Sequence, residues 1–270
     1  MEINDVRPTS VNHIVGQTSV IAQLGVALDA AFADGKRLDD CLLTGGPGLG
    51  KSEIARVLSL EMASDFHEAL GQSVTSPAEL NALLLGCKDN DILFFDECHE
   101  LKTEYQTAIY LALDKRKILI NSGQRVQSIP LSNFTLLMAT TDEYSLLQPL
   151  RDRMKLVLRF QFYSVEELSH LLRLRTSGLE WDIHESAFGE IAQRSRGTPR
   201  LALRLLQSCR RVCRAESGQE ITMRHLQRAC ELEQIDSLGL GPDERRYLEI
   251  LKDGPARLNV LATKLGLHRR

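Results

Sequence analysis

The stretch Gly45-Gly46-Pro47-Gly48-Leu49-Gly50-Lys51-Ser52 decides the fold, because it meets every fixed position of the pattern G-x-x-x-x-G-K-[ST]. Cys41-Leu42-Leu43-Thr44 before it reads as a short buried strand, and Glu53-Ile54-Ala55-Arg56-Val57-Leu58-Ser59-Leu60 after it has helical spacing. A glycine-rich turn can simply open an ordinary helix; set between strand and helix, it has the context of a phosphate cradle. Backbone N–H groups curl around a β-phosphate, the helix N-terminus favours negative charge, Lys51 reaches the β/γ oxygens, and Ser52 can ligate Mg²⁺. Nucleotide binding is the expectation.

A second signal lies downstream. Asp91-Ile92-Leu93-Phe94-Phe95-Asp96-Glu97 reads as a buried strand ending in adjacent carboxylates. In this Walker B arrangement Asp96 holds Mg²⁺ and Glu97 orients and polarises a water. Alone such a strand is common; paired with the phosphate loop it specifies a nucleotide hydrolase. Phe134-Thr135-Leu136-Leu137-Met138-Ala139-Thr140-Thr141 is another buried strand, with two hydroxyls at its C-terminal end, where ligands bind in open α/β sheets. Pro149-Leu150-Arg151-Asp152-Arg153-Met154 then places two arginines before a last apolar strand, Lys155 to Phe160. Such arginines belong either to a solvated turn or to a neighbour's nucleotide.

The remaining elements frame these. An irregular opening, Arg7 to Gln17, leads to an amphipathic helix from about Thr18 to Phe32. Residues after the loop's helix are weakly patterned through Gly71 and Ser76-Pro77, and Ala78 to Leu85 reads as helix. His99 reads as an edge or subunit-contact residue rather than a ligand. Leu101 to Leu113 reads as helix, and Lys117-Ile118-Leu119-Ile120 with Val126 to Leu131 as a hairpin about Asn121-Ser122-Gly123-Gln124.

From Ser164 the texture becomes helical without strands. Ser164-Val165-Glu166-Glu167 is a capping box, followed by helices near 166–176, 185–194, 199–216 and 222–234. Pro199 suits the first helical position, and Arg200 beside it opposes the helix dipole; it is either held by an anion such as phosphate or simply exposed. The tail, with helices near 242–251 and 259–265, Gly266 at a turn and then His268-Arg269-Arg270, starts a helix-turn-helix. A formal charge of −3 over 270 residues excludes a global field for nucleic acid, so DNA contact must be local. No apolar run approaches the roughly 18 residues that span a membrane, and the N-terminus lacks signal-peptide texture, so a cytoplasmic protein is expected. Six cysteines without C-x-x-C spacing fit reduced, buried thiols.

Together Arg7-Pro8 with Val15-Gly16-Gln17, the phosphate loop, Leu93 to His99, Ala139-Thr140-Thr141, Leu150-Arg151-Asp152-Arg153 and Arg196-Gly197-Thr198-Pro199-Arg200 resemble the RuvB family, AAA+ motors of Holliday-junction branch migration. The last two strings are the most specific. The resemblance implies an α/β AAA+ P-loop ATPase with a parallel sheet core (1–160), an all-helical lid (161–236) and a partial winged helix or helix-turn-helix (237–270). It implies that Arg7, Ile14 and Val15 border the adenine, that Gly46, Pro47, Gly48, Leu49, Gly50, Lys51 and Ser52 hold ATP, and that Ser52 and Asp96 hold Mg²⁺. Thr141, or less readily Thr140, would be sensor 1, Arg153 the arginine finger for an adjacent subunit, and Arg200 sensor 2. A hexameric homo-oligomer on branched or duplex DNA, and a RuvA-like junction-binding partner docked on hairpin 117–131, also follow from the likeness. Cys98 stands where the family usually has Ile, a swap an apolar position accommodates. The family's winged helix runs past the point where Arg270 ends this chain, so the expectation is retained ATP binding with weakened DNA affinity and motor output. The competing readings are a clamp-loader-like subunit and a nucleotide-gated AAA+ scaffold without useful turnover.

Overall fold

A computed structural model describes residues 3, 6–122, 125–252 and 254–266 of the chain. These form two units: Arg7–Gln161, and the described residues of Met1–Val6 with Phe162–Arg270. His268-Arg269-Arg270 and the hairpin-turn residues Gly123-Gln124 lie outside the described residues.

The first unit is built on a five-stranded parallel sheet. In chain order its elements are α1 (Thr18–Asp34), β1 (Cys41–Thr44), α2 (Lys51–Glu61), β2 (Phe66–Leu70), α3 (Pro77–Gly86) and β3 (Ile92–Asp96). They continue with α4 (Thr103–Lys115), a separate antiparallel hairpin β4 (Lys117–Ser122) and β5 (Arg125–Pro130), then β6 (Thr135–Thr140), α5 (Gln148–Arg151) and β7 (Leu156–Arg159). The spatial order is β2-β3-β6-β1-β7. A parallel sheet buried on both faces needs continuous apolar strands rather than alternation, and β1 and β6 are buried at every position. Leu42, Leu93, Phe95, Leu136 and Met138 pack in one cluster with Leu80 and Leu84 of α3 and Tyr105, Ile109 and Leu113 of α4.

One strand departs from the sequence reading. The weakly patterned stretch before Gly71 contains β2, one of the sheet's two outer strands, paired with β3. Only Ala69 of its residues is buried, so no apolar run marks it. Its register, Leu70 opposite Asp96, brings its C-terminal end beside the paired carboxylates.

The second unit is helical. It contains α6 (Val165–Gly178), α7 (Glu185–Arg194), α8 (Pro199–Ala215), α9 (Met223–Glu233), α10 (Pro242–Lys252) and α11 (Leu258–Leu265). The Ser164 capping box forms in both directions, with Glu167 N–H to Ser164 Oγ at 3.1 Å and Ser164 N–H to Glu167 Oε2 at 2.8 Å. Cys209 and Cys213 on α8 are fully buried, and all six thiols are free and buried. Burial pushes Cys209 up to about 12, so it stays a neutral thiol. No helix among the described residues is long and apolar enough to cross a membrane.

Candidate nucleotide-binding site

Because β6 lies between β1 and β3, the C-terminal ends of three neighbouring strands meet at one edge of the sheet. Thr44 stands opposite Thr140, and Phe95 opposite Met138. The loop after β1, the carboxylates after β3 and the hydroxyls after β6 are thus neighbours, though up to about a hundred residues apart in the chain, at the edge where open α/β sheets bind ligands.

The loop's shape requires glycine. Gly48 and Gly50 take φ of 75° and 98°, and Gly50 caps α2 without a side chain, leaving first-turn N–H groups directed at the loop. Lys51 is buried and its Nζ donates to the carbonyls of Gly45 (2.8 Å) and Gly46 (2.9 Å). Its ammonium therefore lies folded along the loop. Ser52 Oγ donates to Asp96 Oδ2 at 2.7 Å, joining α2 to β3. A hydroxyl and a carboxylate side by side are the hard oxygen donors that suit Mg²⁺.

Glu97 follows in the left-handed region, φ 48° and ψ 48°, with its N–H donating to Asp96 Oδ1 at 3.0 Å. Its Oε2 accepts from Thr141 Oγ1 at 3.3 Å. Thr140 is fully buried, its Oγ1 accepting the Asp142 N–H at 2.9 Å and lying 3.1 Å from His99 Nδ1. His99 sits 3.4 Å from Glu97 Oε2 with its side chain 19% exposed, a place beside the carboxylate that the reading as an edge or subunit-contact residue did not specify. Gly71 is the second residue that sequence reasoning passed over: a Cβ there would stand 2.4 Å from the Glu97 carbonyl oxygen.

The opening segment is fixed to the same unit. Ser10 Oγ and the Val11 N–H both donate to Glu61 Oε1, at 2.7 and 2.9 Å. Gln17 clasps the backbone of Gln161, donating to its carbonyl at 2.7 Å and accepting its N–H at 3.0 Å. Ile14 and Val15 lie between these anchors, half-buried. Arg7 Nη1 is 4.0 Å from Glu53 Oε2 in the first turn of α2.

The two predicted arginines belong to other segments of the chain. Arg153 is half-exposed and paired with Asp114 of α4 at 2.8 Å. Arg200 is exposed in the first turn of α8, after Pro199, in the helical unit.

Comparison with known proteins agrees with this geometry. The family profile for the Holliday junction DNA helicase RuvB P-loop domain matches residues 6–160, and that for the RuvB AAA lid domain matches 163–236. The chain is 36% identical over 268 residues to the Holliday junction branch migration complex subunit RuvB of Koribacter versatilis, covering 96% of this chain and 74% of that protein. The protein of the same name from Trichormus variabilis is 36% identical over 269 residues, with 97% and 74% covered. Among solved structures, a point mutant of Thermotoga maritima RuvB superposes with a TM-score of 0.89 at 33% identity, covering 97% of this chain and 87% of that one. The structure described as the Thermotoga maritima RuvB Holliday junction branch migration motor gives 0.85 at 32% identity, with 97% and 86% covered. With a phosphate loop, paired carboxylates and helical unit all matched, the chain belongs to the RuvB family of AAA+ P-loop proteins.

Proposed function

We propose that this chain hydrolyses ATP in an oligomeric ring and uses the energy to move branched DNA. The observation that carries the reading is the contact of Ser52 with Asp96 at 2.7 Å, with Lys51 folded along the same loop and Glu97 next in the chain. Phosphate grip, cation site and water activation then share one sheet edge. The relatives are named as subunits of a Holliday junction branch migration complex, which supports junction DNA as the substrate and a RuvA-like protein as partner, docked on hairpin 117–131. In this reading residues 1–160 are the nucleotide-binding domain, 161–236 the lid and 237–270 part of a DNA-binding winged helix, acting in the cytoplasm as a hexamer.

Within the site, Lys51 would trade the carbonyls of Gly45 and Gly46 for β- and γ-phosphate oxygens, while Gly46, Pro47, Gly48, Leu49 and Gly50 shape the N–H cradle. Ser52 and Asp96 would hold Mg²⁺, and when bound this ion offsets the charge that builds on the transferring phosphoryl group. Glu97 accepts the proton of the attacking water, and Thr141, already on its carboxylate, orients the same water toward the γ-phosphate. Arg7, Ile14 and Val15 border the base. Arg153 serves a neighbouring subunit as its finger; its exposed pair with Asp114 is worth at most about 1 kcal/mol and opens readily. Arg200 answers to the γ-phosphate from the helical unit.

Steady-state ATPase activity across protein concentration, with and without four-way-junction DNA, tests this. Turnover should rise with concentration and DNA, vanish in Glu97→Gln, and fall by roughly 10³-fold or more in Arg153→Ala with ATP still bound. Tight ATP binding without Glu97-dependent turnover at any concentration would instead favour a nucleotide-gated scaffold.

A further inference from the structure

Glu97 is held at its backbone and at one side of its carboxylate, while its side chain stays 41% exposed. Its left-handed backbone rests with its carbonyl against Gly71, where only hydrogen fits, and its N–H is taken by Asp96. Its carboxylate has two neighbours, Thr141 Oγ1 at 3.3 Å and His99 Nδ1 at 3.4 Å. The imidazole is in turn anchored, because Nδ1 also lies 3.1 Å from Thr140 Oγ1. Thr140 has no exposure and is fixed by the Asp142 N–H, so it cannot follow a moving ring. Nε2 is 3.7 Å from Glu100 Oε1, beyond direct hydrogen-bond range.

The tautomer follows from the neighbours. An ionised carboxylate only accepts, so a lone pair on Nδ1 facing Glu97 would repel it; a hydrogen on Nδ1 is attracted to Glu97 and to Thr140 at once. An Nδ1–H bonded to Thr140 at 3.1 Å and lying 3.4 Å from Glu97 Oε2 sets the acid that follows β3 in electrostatic contact with the end of β6. A glutamate side chain has three rotatable bonds, and an acid that must meet one water loses most of its effect when misplaced by about 1 Å.

We propose that His99 is a positioning residue for ATP hydrolysis: anchored on Thr140, its Nδ1–H faces the Glu97 carboxylate at 3.4 Å and by that attraction holds it in the orientation from which Glu97 activates water. The inference rests on the ATPase reading above. It acts through Glu97 and leaves the nucleotide grip of Lys51 and Ser52 untouched, so it predicts a change in kcat without one in KM.

The test is steady-state hydrolysis by the full chain at saturating protein concentration, with affinity for a fluorescent ATP analogue and thermal melting measured beside it. His99→Ala should lower kcat by about ten- to a hundredfold, with KM and analogue affinity within about twofold. His99→Asn, whose amide N–H can stand where Nδ1–H does, should recover most of the loss; His99→Gln, which places its amide near the Nε2 position, should not. Wild-type kcat in His99→Ala while Glu97→Gln is inactive would overturn the inference and spare the ATPase reading. So would a loss shared equally by kcat and analogue affinity, or equal recovery by Asn and Gln. Should His99→Ala fail to fold, the contrast between Asn and Gln decides by itself. If the unsubstituted chain shows no Glu97-dependent turnover, the ATPase reading falls and this inference with it.

Discussion

At the scale of single residues, chemistry was more legible than placement. Lys51, Ser52, Asp96 and Glu97 stood out because the roles proposed for them demand particular residue types at fixed spacing. Gly71 did not, because its role is to have no side chain beside a residue twenty-six positions later. Contact between the end of β2 and the turn after β3 exists only once the two strands are paired. A Gly71→Ala chain must push the Glu97 carbonyl away from a Cβ that would otherwise lie at 2.4 Å, and Glu97, already in a conformation costing about 1–2 kcal/mol, has little room to yield. Turnover should fall at least about tenfold while ATP-analogue affinity stays near the unsubstituted value; parallel ATPase and binding titrations would check this. His99 was hidden for a related reason: a lone histidine in sequence carries no sign of which carboxylate it will face.

At the scale of elements, the apolar strands and capped helices could be read outright, because burial on both faces leaves a continuous run and capping leaves a fixed spacing. The strand β2 was missed because an outer strand buries little, and its pattern Phe66-His67-Glu68-Ala69-Leu70 satisfies no simple period. The opening segment was equally opaque, irregular by pattern, yet it is bound to the C-terminal end of α2 through Glu61. Hydrogen bonds from the Ser10 hydroxyl and then the Val11 N–H hold the Glu61 carboxyl below its usual 4.5. A depressed carboxylate stabilises the fold above its unfolded pKa and ceases to do so as pH falls through the folded value. Glu61→Gln should therefore cost about 1 kcal/mol near neutrality, the scale of one such contact at a solvent-screened site. The gap from the unsubstituted chain should shrink as pH drops below about 4.5, measured as the difference in urea midpoints at pH 7 and in mild acid.

At the scale of the whole molecule, the change from alternating strands and helices to helices alone was plain in the sequence, and it coincides with the end of one matched profile at 160 and the start of the next at 163. The roles proposed for Arg153 and Arg200 were not readable from charge, since an arginine that serves a neighbour looks like any exposed arginine; the proposal rests on the strings around them. The sheet order has a further consequence, for the order of events during synthesis. Strand β1, which precedes the phosphate loop, pairs among the described residues with β6 and β7 and with no other strand, so when the first 130 residues have left the ribosome neither of these partners has yet been made. At about 5–20 residues per second, the nascent chain must wait several seconds with the apolar strand Cys41-Leu42-Leu43-Thr44 unpaired. A fragment of residues 1–133 should be degraded rapidly by protease and should not retain ATP, whereas 1–161 should resist digestion as a folded unit. If the shorter fragment proved equally resistant, β1 would have found a partner that the mature sheet does not give it. Within the first unit, the part of the sequence easiest to recognise is thus among the last to become structured, and chaperones meeting this protein at the ribosome would find the phosphate loop still open.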